Sequence, residues 1–209
     1  MSIAAGVHER LHRALVFDRR RDRLVGSVLG ELPDGATVLD IGCGNGEVGA
    51  LLGSAGHGVV GVEVHRRTAC AIPSCDIDGV RLPFPDDAVD WALLVDVLHH
   101  APDAESTLRE AGRVARCGVI VKDHVARNGV DRFTLGVMDW VGNRQFGVGR
   151  DGKYRSDKEW RELLDGVGLE PATWDSDLDL YPGPAKPFFE RSLHFVARLE
   201  PGSDRAVAV

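Results

Sequence analysis

Apolar residues fall into two kinds of pattern along this chain, and the two alternate. Short, nearly continuous runs occupy Ala36–Ile41, Val59–Glu63, Ala88–Val95, Val119–Val121, Leu169–Trp174 and Ser192–Leu199. Runs of that length read as strands, several of them buried on both faces. Between them apolar positions recur at helical spacing. Val7, Leu11, Leu15, Leu24, Val25, Val28, Leu29 and Leu32 predict a helix over roughly 7–31, and Glu47–Gly53 a short one. Pro102 and Asp103 open a helix running to about Ala115, with Asp103 as its cap. Phe133, Val137 and Val141 predict an amphipathic helix over 129–141, half of whose apolar residues should reach the core. Ser156 followed by Glu159 is a capping box that opens a helix to about Gly166. Strands alternating with helices predict an α/β domain with a doubly wound, mostly parallel sheet. Residues 1–35 form an N-terminal helical segment, 1–200 a single domain, and 201–209 a flexible tail.

The first strand ends in Asp40-Ile41-Gly42-Cys43-Gly44-Asn45-Gly46. A buried strand turns sharply into a helix, and the glycines leave bare backbone that a ligand can approach. The helix that follows aims unpaired N–H groups at such a ligand, so a nucleotide-like cofactor is expected. Which cofactor stays open at this point. Gly44-x-Gly46-x-x-Gly49 also fits the dinucleotide fingerprint, with Glu63 lying 19 positions after Gly44, near the spacing expected of a ribose ligand.

Composition narrows the field. The 209 residues suit one α/β domain with a full core, and a net charge of −7 argues against a general nucleic-acid surface. No charged-then-apolar leader and no apolar run of about 18 residues is visible, so no secretion or membrane span is expected, and the location is taken as cytoplasmic. Cys43, Cys70, Cys75 and Cys117 lack zinc spacing and are expected as reduced, mostly buried thiols; no metal is expected. The Arg19, Arg20, Arg21 and Arg23 run is expected on a solvated helix face.

Four segments in order decide between the cofactors: Val38–Gly46, then Gly61-Val62-Glu63, then Asp78–Asp90 with its Leu82-Pro83-Phe84-Pro85-Asp86 core, then Asp96-Val97-Leu98-His99-His100-Ala101-Pro102-Asp103. In these the chain resembles the class I S-adenosylmethionine-dependent methyltransferases, in the branch that includes ubiquinone- and menaquinone-biosynthesis enzymes. The resemblance runs from about Ala36 to Leu199. It implies a Rossmann-like, seven-stranded sheet closing with an antiparallel C-terminal hairpin, and S-adenosyl-L-methionine as cofactor. It also implies roles for residues. Gly42, Cys43 and Gly44 line the cofactor's amino-acid end, which Asp40 orients. Glu63 accepts from both ribose hydroxyls. Asp78 accepts from the adenine amino group, with the Gly79 amide nearby, and Asp96 lies near the sulfonium. One departure stands out: only fourteen residues separate Glu63 from Asp78, so the helix that the family places there is cut to a turn or lost.

Methyl transfer from a sulfonium is an in-line displacement that mainly needs alignment, helped by a base where the acceptor is a hydroxyl or protonated amine. His100, His124 and Asp123 are the candidate catalytic residues, with His99 ranked below them. The segment 122–155 is the expected substrate-binding insertion and lid. It carries a charge of +3 against −10 for the remainder. An acceptor pocket with anionic preference is expected from Asp139, Trp140, Asn143, Arg144 and Tyr154. The expected partner is a small-molecule acceptor, the chain being a monomer or homodimer. Methylation of a protein or peptide, non-methyl-transfer or regulatory work on the same fold, and a nicotinamide oxidoreductase remain the rivals.

Overall fold

The computed structural model describes residues 18–64, 69–77, 79–143, 152–181, 183 and 186–202, with backbone alone at 142–143. In chain order these form α1 (Arg19–Glu31), β1 (Thr37–Ile41), α2 (Glu47–Ser54), β2 (Gly58–Glu63), β3 (Ser74–Asp76), β4 (Val89–Val95), α3 (Ala104–Val114), β5 (Ala115–His124), α4 (Gly129–Asn143), α5 (Asp157–Val167), β6 (Leu169–Asp175), α6 (Lys186–Phe189) and β7 (His194–Pro201). The sheet runs β3-β2-β1-β4-β5-β7-β6. The first five strands pair in parallel, and β7 runs antiparallel to both β5 and β6. The seven-stranded, mostly parallel sheet with its C-terminal hairpin is as expected. Strand order reverses between β1 and β4, and at such a point a crevice opens beyond the carboxyl ends of the strands. The glycine loop after β1 and Asp96 after β4 both lie at that crevice.

Side chains alternate across the sheet and build a core on each face. Ala92, Leu94, Val119, Val121, Phe195 and Ala197 meet Leu108 of α3 and Trp160 of α5. Trp91, Leu93, Ile120 and Val196 meet Leu24 and Val28 of α1 and Leu52 of α2. The same alternation carries past the apolar runs. It sends Lys122, His124 and His194 to the α1 face and Asp123 to the other. Asp103 caps α3, its carboxylate accepting from the Ser106 amide at 3.0 Å. The capping box of Ser156 and Glu159 opens α5.

Four expectations are corrected. The fifth strand runs on through Lys122, Asp123 and His124, because these charged residues find partners across the strand ends. Phe133, Val137 and Val141 of α4 face outward, 74%, 40% and 53% exposed, while Leu135 takes the buried position. Cys75 and Cys117 are exposed and Cys43 and Cys70 only half-buried. The arginine run does not all face solvent: Arg19 and Arg23 pair with Asp179, and Arg20 turns to the crevice. Between Glu63 and β3 no helix occurs among the described residues. Residues 1–17 and 203–209, which hold the start of the expected first helix and most of the tail, lie outside the described residues.

Gly118 holds the most constrained backbone position in the sheet, at φ 151°, opposite Trp91 where the β4–β5 register shifts. A Cβ there would meet the Leu199 carbonyl oxygen at 2.2 Å. Gly118→Ala is therefore expected to cost about 2–4 kcal/mol in urea unfolding. Gly30→Ala, on helix α1 with open space around it, is expected to stabilise by about 0.4–1 kcal/mol. Equal effects from the two would contradict this account.

Candidate functional site

The crevice has two halves. In the first, the loop after β1 is tied back to β2: the Gly42 and Cys43 amides donate to the Val62 carbonyl at 2.8 and 3.1 Å. The Gly44 amide donates to Glu63 Oε2 at 2.8 Å, and Val64 N donates to Oε1 at 2.9 Å. Glu63 is thereby fixed at the strand tip. Gly44 has φ 57°, and a Cβ built on it meets nothing within 4 Å, so the loop turns bare backbone to open space. Asp40 is 2% exposed, and its burial, reinforced by Glu63, pushes its carboxyl up to about 7. A cationic group is the partner that would stabilise this carboxylate. Together an open glycine loop, a carboxylate at the tip of β2 and a buried carboxylate with no cation beside it among the described residues fit the ribose and amino-acid ends of S-adenosyl-L-methionine. Gly79 is exposed, and Asp78 lies outside the described residues.

The second half is a cluster of charges at the ends of β4, β5 and β7. Asp96 sits at φ 57°, a conformation that aspartate tolerates better than most residues, and its amide donates to the Lys122 carbonyl at 2.9 Å. Its carboxylate accepts from Lys122 Nζ and, at 3.2 Å, from Arg20 Nη2, while His124 Nδ1 lies 3.6 Å away. Burial alone would raise the Asp96 carboxyl; Lys122, with Arg20, outweighs it and holds the group well below the carboxylate range. Lys122 is fully buried, and that burial lowers its ammonium despite Asp96.

Asp123, also fully buried, organises the histidines. Its Oδ1 lies 2.7 Å from His99 Nδ1 and 3.2 Å from His124 Nδ1, and it accepts from the His124 amide at 2.8 Å. His99 is 2% exposed, with Nε2 3.3 Å from Asp139 Oδ2. Burial would lower His99, but the carboxylates of Asp123 and Asp139 prevail and push it up to about 10. It stands as an imidazolium between two carboxylates. His100 stacks against it at 4.1 Å, with its side chain 22% exposed. Burial and the neighbouring imidazolium both lower His100, so it is neutral at pH 7. His124 is likewise lowered, by burial and Lys122, but is 3% exposed and enclosed by His99, His194 and Tyr154.

The expected acceptor residues divide. Asp139 faces the cluster and accepts from the Tyr154 hydroxyl. Tyr154 is held there because the Lys153 amide donates to the His99 carbonyl at 2.7 Å, and the Ala126 amide to the Arg155 carbonyl at 2.9 Å. Trp140 stays 42% exposed. Arg144 and the Asn143 side chain lie outside the described residues. Asp123 reaches histidines rather than open space, which makes it a positioning group. Sequence reasoning undervalued His99 and did not find Arg20, Lys122, Tyr181 or His194 in the site. The signal for Lys122 and His194 was strand alternation: Lys122 follows the apolar Ile120 by two, and His194 precedes the apolar Val196 by two.

His99 gives the cluster a signature in stability. Its folded pKa, about 10, exceeds the ordinary 6.5. Its contribution is therefore complete below about pH 6.5 and is lost as the pH rises toward 10. Urea unfolding of the wild type should lose roughly 3–5 kcal/mol across that window relative to His99→Gln. Parallel pH profiles for the two proteins would show that His99 is not held charged.

Comparisons with known proteins bear on this arrangement. A family model described as "Methyltransferase domain" matches residues 39–121, spanning β1 to the middle of β5. The chain is 33% identical over 114 residues to 27-O-demethylrifamycin SV methyltransferase of Amycolatopsis mediterranei, a match covering 48% of this chain and 41% of that protein. It is 34% identical over 125 residues to an uncharacterised methyltransferase of Mycobacterium leprae, covering 54% of this chain and 46% of the relative. The matched stretch thus spans less than half the length of these curated relatives. Among solved structures, the fold resembles a chain of the complex between the Haloferax volcanii Trm112 methyltransferase activator and a methyltransferase, with TM-score 0.64, 21% identity and coverage of 95% of this chain and 96% of that one. It also resembles the [4+2]-cyclase SpnF, with TM-score 0.64, 17% identity, and coverage of 87% and 81%. Residues 39–121 thus match the methyltransferase domain family on the Rossmann-like class I methyltransferase fold, and that family and fold imply S-adenosyl-L-methionine as the cofactor.

Proposed function

We propose that this protein transfers the methyl group of S-adenosyl-L-methionine to a small-molecule acceptor, with His100 as the base. The observation that carries this reading is one edge of the sheet. It carries Asp96 after β4 and, four residues further on, a neutral, partly exposed histidine against His99 and Asp139, while the open glycine loop follows the neighbouring strand β1. Gly42, Cys43 and Gly44 would flank the cofactor's amino-acid end, Asp40 would meet its ammonium and Glu63 its ribose. Asp78 and Gly79 are proposed at the adenine. The cofactor supplies an activated methyl on a sulfonium, so this chain's residues need to align the acceptor, exclude water and take a proton.

His100 takes that proton from an acceptor O–H or N–H as the new bond to carbon forms. His99, fixed by Asp123 and Asp139, holds its neighbour neutral by electrostatic repulsion and so keeps it competent as a base. His124 is too enclosed to meet the acceptor and acts by positioning. Asp139 and Tyr154 form a polar wall, with Trp140, Asn143 and Arg144 proposed further along the same segment. No helix among the described residues is long and apolar enough to cross a membrane. The quinone-biosynthesis branch remains a proposal resting on the Leu82–Asp87 and Asp96–Asp103 segments. The likeness to a cyclase bears on fold alone.

The test is a metabolite-extract assay with methyl-labelled donor, after binding of S-adenosylhomocysteine has been established. Label is expected in small molecules, and His100→Asn should lower kcat by about 10²–10⁴ with S-adenosylhomocysteine affinity unchanged. Label in protein alone would overturn the small-molecule reading. Binding without any transfer would favour regulatory or other chemistry.

The pH profile separates the two halves of the site. Asp40 binds a cation only when ionised, and its carboxyl titrates near 7. Donor affinity should therefore fall below pH 7, by up to about tenfold per unit. Burial and the neighbouring His99 lower His100 from the ordinary histidine value, so the fall in kcat should lie on the acid side of an ordinary histidine titration. A fall in kcat centred at or above pH 7 would contradict the assignment of His100.

A further inference from the structure

The acceptor's acidic group was expected to meet cations of the 122–155 segment, yet among the described residues four of the five cations there are engaged elsewhere, and the fifth, Lys153, is exposed. Arg127 holds Asp157 and the Ser192 carbonyl. Arg132 donates to the Tyr154 carbonyl at 2.7 Å, and Arg155 to the Leu98 carbonyl at 3.1 Å while lying over Trp160. Lys122 is buried against Asp96. A further cation, Arg20, reaches Asp96 in the crevice from the other end of the chain.

Arg20 stands in the first turn of α1, and its helix packs on the sheet face from which Lys122, His124 and His194 project. Its bond to Asp96 is long for a charge-assisted pair, at 3.2 Å. Its guanidinium lies 6.0 Å from the centre of the Tyr181 ring. The side chain keeps 30% of its surface, yet Nε is inaccessible to water and has no hydrogen-bond partner among the described residues. Beside it, His194 is 1% exposed with both ring nitrogens unpartnered, between His124 at 4.8 Å and Tyr181 at 5.7 Å. Buried polar atoms left without partners are rare and call for an explanation.

We propose that Arg20 is the acceptor-recognition residue of this site, binding a carboxylate of the acceptor through its planar guanidinium, with Tyr181 and His194 walling the same pocket. A carboxylate matches the guanidinium fork with two parallel bonds, and Arg20 has donors to offer beyond its long contact to Asp96. This inference rests on the methyltransferase reading above, because it places the carboxylate next to a bound donor.

The test uses benzoate and benzamide, which share a shape and differ in charge, titrated by NMR into the full chain saturated with S-adenosylhomocysteine. Benzoate should bind at least about tenfold more tightly than benzamide. Arg20→Gln should abolish that preference while S-adenosylhomocysteine still binds, and Arg20→Lys should keep part of it. The lysine variant retains the charge but not the planar fork, and S-adenosylhomocysteine binding reports whether each variant is folded, so loss of structure and loss of recognition are told apart. No preference in the wild type, or a preference that survives Arg20→Gln, overturns the proposal and leaves the methyltransferase reading standing. Failure of the wild type to bind S-adenosylhomocysteine overturns that reading and this proposal together.

Discussion

Burying charge at the carboxyl edge of a parallel sheet is the constraint on which the site depends. Lys122, Asp123 and His99 are almost wholly removed from water, and each would be costly there alone. They persist because each meets an opposite charge: Lys122 meets Asp96, and His99 meets Asp123. Those pairings need the strand ends in register, since Val95 lies opposite Lys122 and His124 opposite His194. A slip of one residue would turn every one of these groups to the wrong face. The polar cluster therefore demands the same register that the apolar cores on either side prefer.

Function follows from how the cluster divides its histidines. The His100 and His124 rings both lie against His99, but the protonation of the three differs because their neighbours differ. Two carboxylates hold His99 charged, and burial together with that charge lowers His100. Lys122 and burial keep His124 neutral, but its enclosure withholds it from a substrate. One of three similar side chains is left both neutral and reachable. Such divergence of titratable neighbours is the pattern expected of a site that handles protons.

Much of the fold could be read from the chain because its signals are local. Short apolar runs marked six of the seven strands, while Asp103 and the Ser156–Glu159 box marked two helix starts. The glycine loop and Glu63 were visible because backbone geometry demands glycine there and because the carboxylate ends an apolar strand. The charged end of β5 was harder to read. Lys122, Asp123 and His124 look like a loop in isolation, and only tertiary pairing explains why they extend the strand. The outward stripe of α4 misled for a related reason: periodicity identifies a helix face but not what covers it. Arg20 was illegible, since a basic run on an amphipathic helix gives no sign that one member turns inward toward a carboxylate 76 positions away.

The account stands most directly on where a donor-derived ligand settles. The decisive measurement is a structure of this protein with S-adenosylhomocysteine. The account requires the ribose at Glu63, the amino-acid end along Gly42–Gly44 with its ammonium toward Asp40, and the sulfur facing the space between Asp96 and His100. A ligand bound away from the glycine loop would contradict it. So would a ligand whose sulfur is walled off from His100.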